Sequence, residues 1–418
     1  PVDGGPQALR PEARFYTDRG RLDRRKMFDS LDFDYFHRET IPSLVRVNGP
    51  LAQRACGRAM EPLAFRLPDG RAWTYVAGDP GVLVLPGDGD AATVVQLGEA
   101  DWCDFVNEAR TCFGLLYAGL VSFPRGDFGA LDRWEPVLRA LFDGRPPYDP
   151  SKVAGLDLAR SFQLDEADEA GEFLRGAGFV HIRAVFDEAE MALVRSEVER
   201  LRTAARPTDG RSWWAKDSTG TDVCCRLIYA TLSSTVLADF VEDGRFARLA
   251  GLGGAEVQPA PDRLDGVSVV LKWPSIVEGL SDLPWHRDCG LGGHPFMCPT
   301  VLIGVQLDAA NAGSGQLRYL AGSHLTTGSP PTPGDDSLPI VGIDADPGDI
   351  TVHFGHVLHV APPPGSGGAG RRTMYVSYAN PAVFDVVPAG KGYNDVLFTG
   401  LEDGHVQSPE SRLGTPAG

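Results

Sequence analysis

From residue 257 onward the chain is a succession of short β-rich runs separated by Gly/Pro turns: 267–273, 300–307, 317–320, 349–354 and 374–378. Many short strands with turn chemistry between them indicate a sandwich or barrel. Two amphipathic helices, 165–175 and 187–203, are expected around a strand at 179–182. The first opens on acidic residues, which is favourable against the helix dipole. Upstream, Gly144-Arg-Pro-Pro-Tyr-Asp-Pro150 interrupts all periodicity and marks a boundary. Before it, 64–67 and 72–77 flank a Pro-Asp-Gly-Arg turn, 82–85 and 93–97 read as further strands, and 99–113 and 134–142 as helices. Helical pattern also occurs near Leu22 and over 51–59, and residues 1–20 read as a loosely held arm. A chain of 418 residues is too long for one ordinary core. The expected organisation is an α+β accessory domain over 1–150 and a mainly β domain with flanking helices over 151–418, its β core at 257–380.

Within that β core stands Trp285-His286-Arg287-Asp288, with His359 further on. On a strand, positions i and i+2 face the same way, so His286 and Asp288 can reach one ion. Two imidazoles and one carboxylate on one face of a metal leave positions open, the arrangement that suits Fe(II) oxygen chemistry. His353 and His356 compete with His359 for the third place.

The surrounding motifs come in order. His286-x-Asp288 is followed by Leu307-Asp308, then Gly315-Gln-Leu-Arg318, Gly322-Ser-His324, Gly348-Asp349, His359, and finally Arg371-Arg372. This series resembles the phytanoyl-CoA dioxygenase family of Fe(II)/2-oxoglutarate-dependent oxygenases, over roughly 257–380 with the helices from about 158 as its N-terminal part. The resemblance implies a double-stranded β-helix of the jelly-roll or cupin kind. It implies His286, Asp288 and His359 as iron ligands, His359 because it lies eleven residues after Gly348. Arg371 matches the residue that pairs with the far carboxylate of 2-oxoglutarate, for which a planar guanidinium is suited. Arg372 is its alternative, and Lys272 falls where the family often has a polar residue near the cosubstrate. The cofactors implied are Fe(II), 2-oxoglutarate and O2, with succinate and CO2 released and no separate acid or base. A carboxylate ligand at Asp288 favours hydroxylation over halogenation; desaturation, epoxidation and rearrangement stay open. The N-terminal part faintly resembles a sterol-carrier-like module; a structural or dimerisation role is the plainer expectation.

Trp213, Trp214, Lys216, Arg226 and Tyr229 precede the β core, where the family places loops over the site, and are the candidates for substrate contact. Trp213 and Trp214 can equally be packing. Trp285 is expected in the core, His324 in a structural role, Cys289 in packing, and a solvent-facing Lys272 is a standing alternative. The net charge of −17 argues against nucleic acid and anionic membranes as partners. Seven cysteines without C-x-x-C spacing read as reduced thiols of a cytoplasmic protein. The longest apolar run, 112–123, is too short to span a bilayer. The expected activity is oxidation of a C–H bond in a small molecule, as a tailoring step of secondary metabolism, by a protein of open oligomeric state that includes a homodimer. The rivals are a metal-dependent cupin acting as isomerase or hydrolase, and a silent binding barrel.

Overall fold

The computed structural model describes residues 30–413, apart from 57–59, 79–80, 262–265, 280–282, 292–299, 328–330, 332–336, 366–367, 382 and 384–391. The expected arm over 1–20, the helical pattern near Leu22 and the end of the 51–59 pattern lie outside the described residues.

The N-terminal half forms one sheet from β1 (Leu63–Arg66), β2 (Ala72–Gly78), β3 (Gly81–Pro86), β4 (Thr93–Leu97) and β5 (Val121–Arg125), in the order β3-β2-β1-β4-β5. β1 and β4 run parallel and the other pairs antiparallel. Helices Ile41–Ala55 and Phe128–Asp143 pack against it, with Trp102, Trp134 and Phe105 in a core drawn from residues 33–142. The single helix expected over 99–113 is two, Glu99–Val106 and Cys112–Tyr117. The break falls at Glu108, whose φ of 59° no helix accommodates. Its carboxylate is held instead in a buried ion pair with Arg145.

The second half is a two-sheet sandwich. Its strands are β6 (Phe179–Ile182), β7 (Ser212–Asp217), β8 (Asp222–Leu227), β9 (Gln258–Pro259), β10 (Val267–Lys272), β11 (Ile276–Glu278), β12 (Val301–Gln306), β13 (Arg318–Leu320), β14 (Ile340–Gly342), β15 (Ile350–Phe354), β16 (His359–Val360) and β17 (Arg371–Ala379). The large sheet runs β11-β7-β8-β10-β17-β12-β15-β6, with β9 beside β17; the small one is β14-β13-β16. Both contribute to one apolar core, where Tyr319 of the small sheet stacks on Phe179 of the large one at 4.6 Å. β10 and β15 are buried at every position, because helices such as Glu188–Ala204 add to the same core. Strands covered on both faces lose alternation and read as continuous apolar runs.

The Gly-Asp turn before β15 has a definite cause. Gly348 sits at φ 89°, and a Cβ there would meet the Phe186 carbonyl oxygen at 2.1 Å. Asp349 then accepts from the Ala184 amide at 2.8 Å and bonds the His181 ring at 3.0 Å, pinning β15 to the end of β6.

The hairpin β7–β8 corrects an expectation. Trp213, Trp214, Lys216 and Arg226 were expected on loops over the site, yet they lie on the paired strands β7 and β8 near one edge of the large sheet. The signal was local: Asp217 Oδ1 accepts from the amides of Thr219 and Thr221, closing a tight turn at Gly220, φ 81°.

The two halves are docked. The Thr111 amide donates to the Gly290 carbonyl at 3.0 Å, and a Cβ on Gly114 would meet that same oxygen at 2.3 Å. Tyr148 donates to the Ala321 carbonyl, and Tyr117 to that of Gln407. Among the described residues no helix is long and apolar enough to cross a membrane.

Candidate metal and cosubstrate site

His286 and His359 reach the site through each other. Their backbones form a reciprocal antiparallel bridge, His286 N to His359 O at 3.0 Å and His359 N to His286 O at 3.1 Å. This places the rings 4.2 Å apart at the open edge of the small sheet. The expected strand through 286–288 is only this bridge. The chain then turns, held by the amides of Asp288 and Cys289 on the Gly355 carbonyl. The turn still carries the Asp288 carboxylate to the imidazoles: Oδ1 lies 3.5 Å from His286 Nε2, and Oδ2 lies 3.7 Å from His359 Nε2.

Tautomers follow from the anchors. His286 Nδ1 lies 2.7 Å from the Pro284 carbonyl and His359 Nδ1 3.0 Å from that of Val357. A carbonyl only accepts, so each Nδ1 carries the proton and each Nε2 presents its lone pair to the centre. Burial, reinforced by the neighbouring His286, pushes the His359 imidazolium down to about 3, so the ring is neutral at physiological pH. Burial alone would raise Asp288, but the three imidazoles around it hold its carboxyl well below the usual range.

These residues fit a metal ion. His286 Nε2 and Asp288 Oδ2 are buried without a hydrogen-bond partner among the described residues, a costly state that a cation relieves. The donor atoms of His286, Asp288 and His359 all lie within 4.8 Å of one another. Ligands at right angles around one ion sit on the order of 3 Å apart, so a small inward shift completes the set.

His353 comes from the opposite wall, on β15. Its Nε2 is 3.5 Å from Asp288 Oδ2 and its Nδ1 is 3.1 Å from the Tyr319 hydroxyl. It lines the same pocket, its ring 4.9 Å from that of His359 and its Nε2 also without a hydrogen-bond partner among the described residues, but it is outside the three-residue cluster. His356 packs between Phe354 and His324. His324 is buried, bonds the Arg175 carbonyl through Nε2, and is pushed down to about 4 by that burial.

The cluster opens on a pocket of about 460 Å³ that also includes Lys272, Arg371 and Arg226. Arg371 and Lys272 are paired in register across β17 and β10, and each is only 1% exposed. The alternative of a solvent-facing Lys272 is therefore corrected: its ammonium bonds the carbonyls of Ala361 and Pro362 beneath the pocket. Arg371 donates to the Gly315 carbonyl at 2.8 Å and to Thr373, both neutral acceptors. Buried guanidinium charge without a carboxylate favours an anionic ligand. Arg372 faces the other way, as strand alternation requires, and binds Asp308 through two nitrogens.

The substrate candidates separate. Arg226 lines the pocket, its guanidinium 4.6 Å from the Trp213 ring and 5.5 Å from that of Tyr393. Trp213 is buried behind it, and Trp214 donates to Ser212 while packing on the sandwich core. Tyr229 is buried with its hydroxyl toward Asp395. Lys216 is not brought to the site: it pairs with Asp222 on the exposed face of the hairpin. Trp285 is not core but half-buried, on a cavity between the two halves that includes Phe113 and Asp132 on its far side. Sequence reasoning missed that N-terminal contribution, because no local pattern marks a helix face that docks on a distant domain.

Residues 174–373 match the model of the family described as Phytanoyl-CoA dioxygenase (PhyH). No curated protein matches the sequence. Solved structures similar to the chain include EvdMO1, at 23% identity over 51% of this chain and 50% of that one, with a TM-score of 0.41. This chain thus spans half the length of EvdMO1. The non-heme alpha ketoglutarate dependent epimerase SnoN from nogalamycin biosynthesis is 23% identical over 52% of this chain and 81% of its own, at a TM-score of 0.41. EctD from S. alaskensis, solved with 2-oxoglutarate and 5-hydroxyectoine, is 18% identical over 57% and 83%, at 0.43.

Proposed function

On the premise that residues 174–373 carry a phytanoyl-CoA dioxygenase (PhyH) domain, whose cofactors are Fe(II), 2-oxoglutarate and O2, we propose that the protein is an oxygenase acting on a C–H bond of a small natural product. The observation that carries this reading is the coincidence in one 460 Å³ pocket of the His286, Asp288 and His359 donors with the buried Arg371. A metal site alone would not need the guanidinium. A carboxylate-binding site alone would not need two imidazoles with lone pairs turned inward.

His286 and His359, fixed as Nδ1–H tautomers, and Asp288, ionised, would hold the iron. Bound there, iron with 2-oxoglutarate and O2 supplies the oxidising equivalent for the C–H bond, while 2-oxoglutarate becomes succinate and CO2. The residues of the chain do the rest. Arg371, oriented by the Gly315 carbonyl and the Thr373 hydroxyl, would pair with a carboxylate in the pocket. Lys272 beside it adds a second positive charge. Leu302 and Leu317 line the same space and limit water around the reacting centre. His353, between Tyr319 and Asp288 on the same pocket, would help to orient the carboxylate. Hydroxylation is the outcome proposed.

The test is succinate release from 2-oxoglutarate by the Fe(II)-loaded protein across a substrate panel. O2-dependent succinate, with an added oxygen in the product, is expected. Conversion of a substrate at full rate without O2 or 2-oxoglutarate would move the site to isomerase or hydrolase chemistry.

A further inference from the structure

The pocket of about 460 Å³ that holds the cluster also carries three cations, Arg226, Lys272 and Arg371. A second cavity, of about 910 Å³, adjoins it, and Leu283 and His286 line both. The two halves of the molecule share its wall. Phe113, Tyr117 and Asp132 come from the N-terminal half, and Trp285, Arg287 and Leu397 from the sandwich. The N-terminal half therefore contributes the outer faces of its helices Cys112–Tyr117 and Phe128–Asp143 to this space.

The wall is mostly apolar, and most of its polar groups are already committed. Arg139 donates to the carbonyls of Phe105 and Arg110 and to Glu135. Glu135 also accepts from the Cys112 amide. Arg287 donates to the His356 carbonyl. Thr111 bonds the Gly290 carbonyl and accepts from the Gly114 amide. Two groups stand apart. Thr327 is 4% exposed, and its buried hydroxyl oxygen has no hydrogen-bond partner among the described residues. Among the described residues the Asp132 carboxylate has one hydrogen-bond partner, the Cys112 thiol at 3.7 Å, with Arg133 and Arg287 as the positive charges near it. Burial and the nearby Glu135 push the Asp132 carboxyl up to about 6, so a cation placed beside it would be stabilised by what it relieves. A chain of net charge −17 also concentrates cations at its surface.

We propose that this interdomain cavity is the substrate chamber and that it takes a largely apolar small molecule bearing a basic amine, its ammonium beside Asp132 and a polar group at Thr327. The substrate role rests on the oxygenase reading of the adjoining site. Leu283 and His286 form the boundary at which the bond to be oxidised meets the reacting centre. The N-terminal half is then part of the binding site and sets its charge selectivity.

Dansylcadaverine, a hydrophobic primary amine, and its N-acetyl derivative are the probes. Titrated into metal-free protein and followed by fluorescence, the amine should bind at least tenfold tighter than the acetylated probe. That preference should vanish in Asp132→Asn and persist in Asp132→Glu, while Thr327→Val weakens both probes. Equal binding of the two probes, or a preference unchanged in Asp132→Asn, overturns the amine assignment. The amine is then added without O2 to protein loaded with Fe(II) and 2-oxoglutarate. A shift of the visible charge-transfer band is expected, and binding without any shift overturns the chamber assignment. If no band exists before the probe is added, the oxygenase reading fails and the substrate role with it. The metal-free titration still decides the amine preference on its own.

Discussion

His37 in the N-terminal half and His286 in the sandwich are anchored alike at one end and differently at the other. His37 Nδ1 donates to the Phe33 carbonyl at 2.6 Å, and its Nε2 accepts from the Tyr75 hydroxyl at 2.8 Å. His286 Nδ1 donates to the Pro284 carbonyl at 2.7 Å, but its Nε2 has no hydrogen-bond partner among the described residues, with the Asp288 carboxylate 3.5 Å away. Aromatic rings surround His37 on several sides, with Trp73 stacked at 5.2 Å. One imidazole is a satisfied piece of a core. The other is held rigid with its lone pair unspent, next to a carboxylate in the same condition. A buried polar atom left without a partner costs about 1–3 kcal/mol, and a fold keeps such a group where a ligand meets it.

The largest effect that can break this contrast is on metal binding. His286→Ala should abolish stoichiometric Fe(II) binding and turnover, whereas His37→Gln should leave iron content unchanged and lower stability by about 1–3 kcal/mol. Iron analysis after anaerobic loading, with denaturant unfolding alongside, reads both. Iron retained by His286→Ala would erase the distinction.

A second contrast lies between two adjacent arginines. Arg371 is buried in the pocket, and Arg372 is spent on Asp308 outside it. Arg371→Ala should raise the apparent 2-oxoglutarate requirement by the equivalent of about 3–5 kcal/mol, the usual loss when one side of a buried charge pair is removed. Arg372→Ala should leave that requirement alone. The reverse pattern in succinate assays would exchange their roles.

His353 tests how far the site extends beyond its three ligands. His353→Phe keeps the ring and removes the contacts to Asp288 and Tyr319. A loss of roughly 10–100-fold in Fe(II) affinity is expected, the range for partners that orient a ligand. A loss as complete as that of His286→Ala would make His353 a ligand.

The smallest effect concerns pH, and here the two halves should behave alike. Burial pushes both His37 and His324 down from 6.5 to about 4. The unfolded chain binds these protons near pH 6.5 and the folded chain does not, so their contribution is present above that value. It is lost as pH falls through about 4, with on the order of 1–2 kcal/mol gone per residue by pH 5. Urea unfolding of metal-free protein at pH 7.5 and pH 5 should show it, and His37→Gln should flatten the dependence. Equal stability at both values would contradict the assignment of two neutral buried rings.

Much of the sandwich was legible because its strands are short, apolar and punctuated. β6, β12 and β15 lie within one residue of where turn residues and short β-rich runs place them. The spacing of His286, Asp288 and His359 was legible too, although a backbone bridge and a turn deliver them where a strand was expected. What did not show was long-range. The burial of Lys272 depends on carbonyls about ninety residues away. The hairpin β7–β8 carries Trp-Trp and Cys-Cys pairs that hide its alternation. Trp285 faces a cavity that exists only once the helix Cys112–Tyr117 has docked at Gly290.

The most direct measurement is an anaerobic titration of Fe(II) into the full chain with 2-oxoglutarate present. One equivalent should produce a weak visible charge-transfer band, absent in His286→Ala and requiring much more 2-oxoglutarate in Arg371→Ala. Stoichiometric iron binding without any such band would contradict the account of a cluster and an arginine that together hold one metal and one cosubstrate.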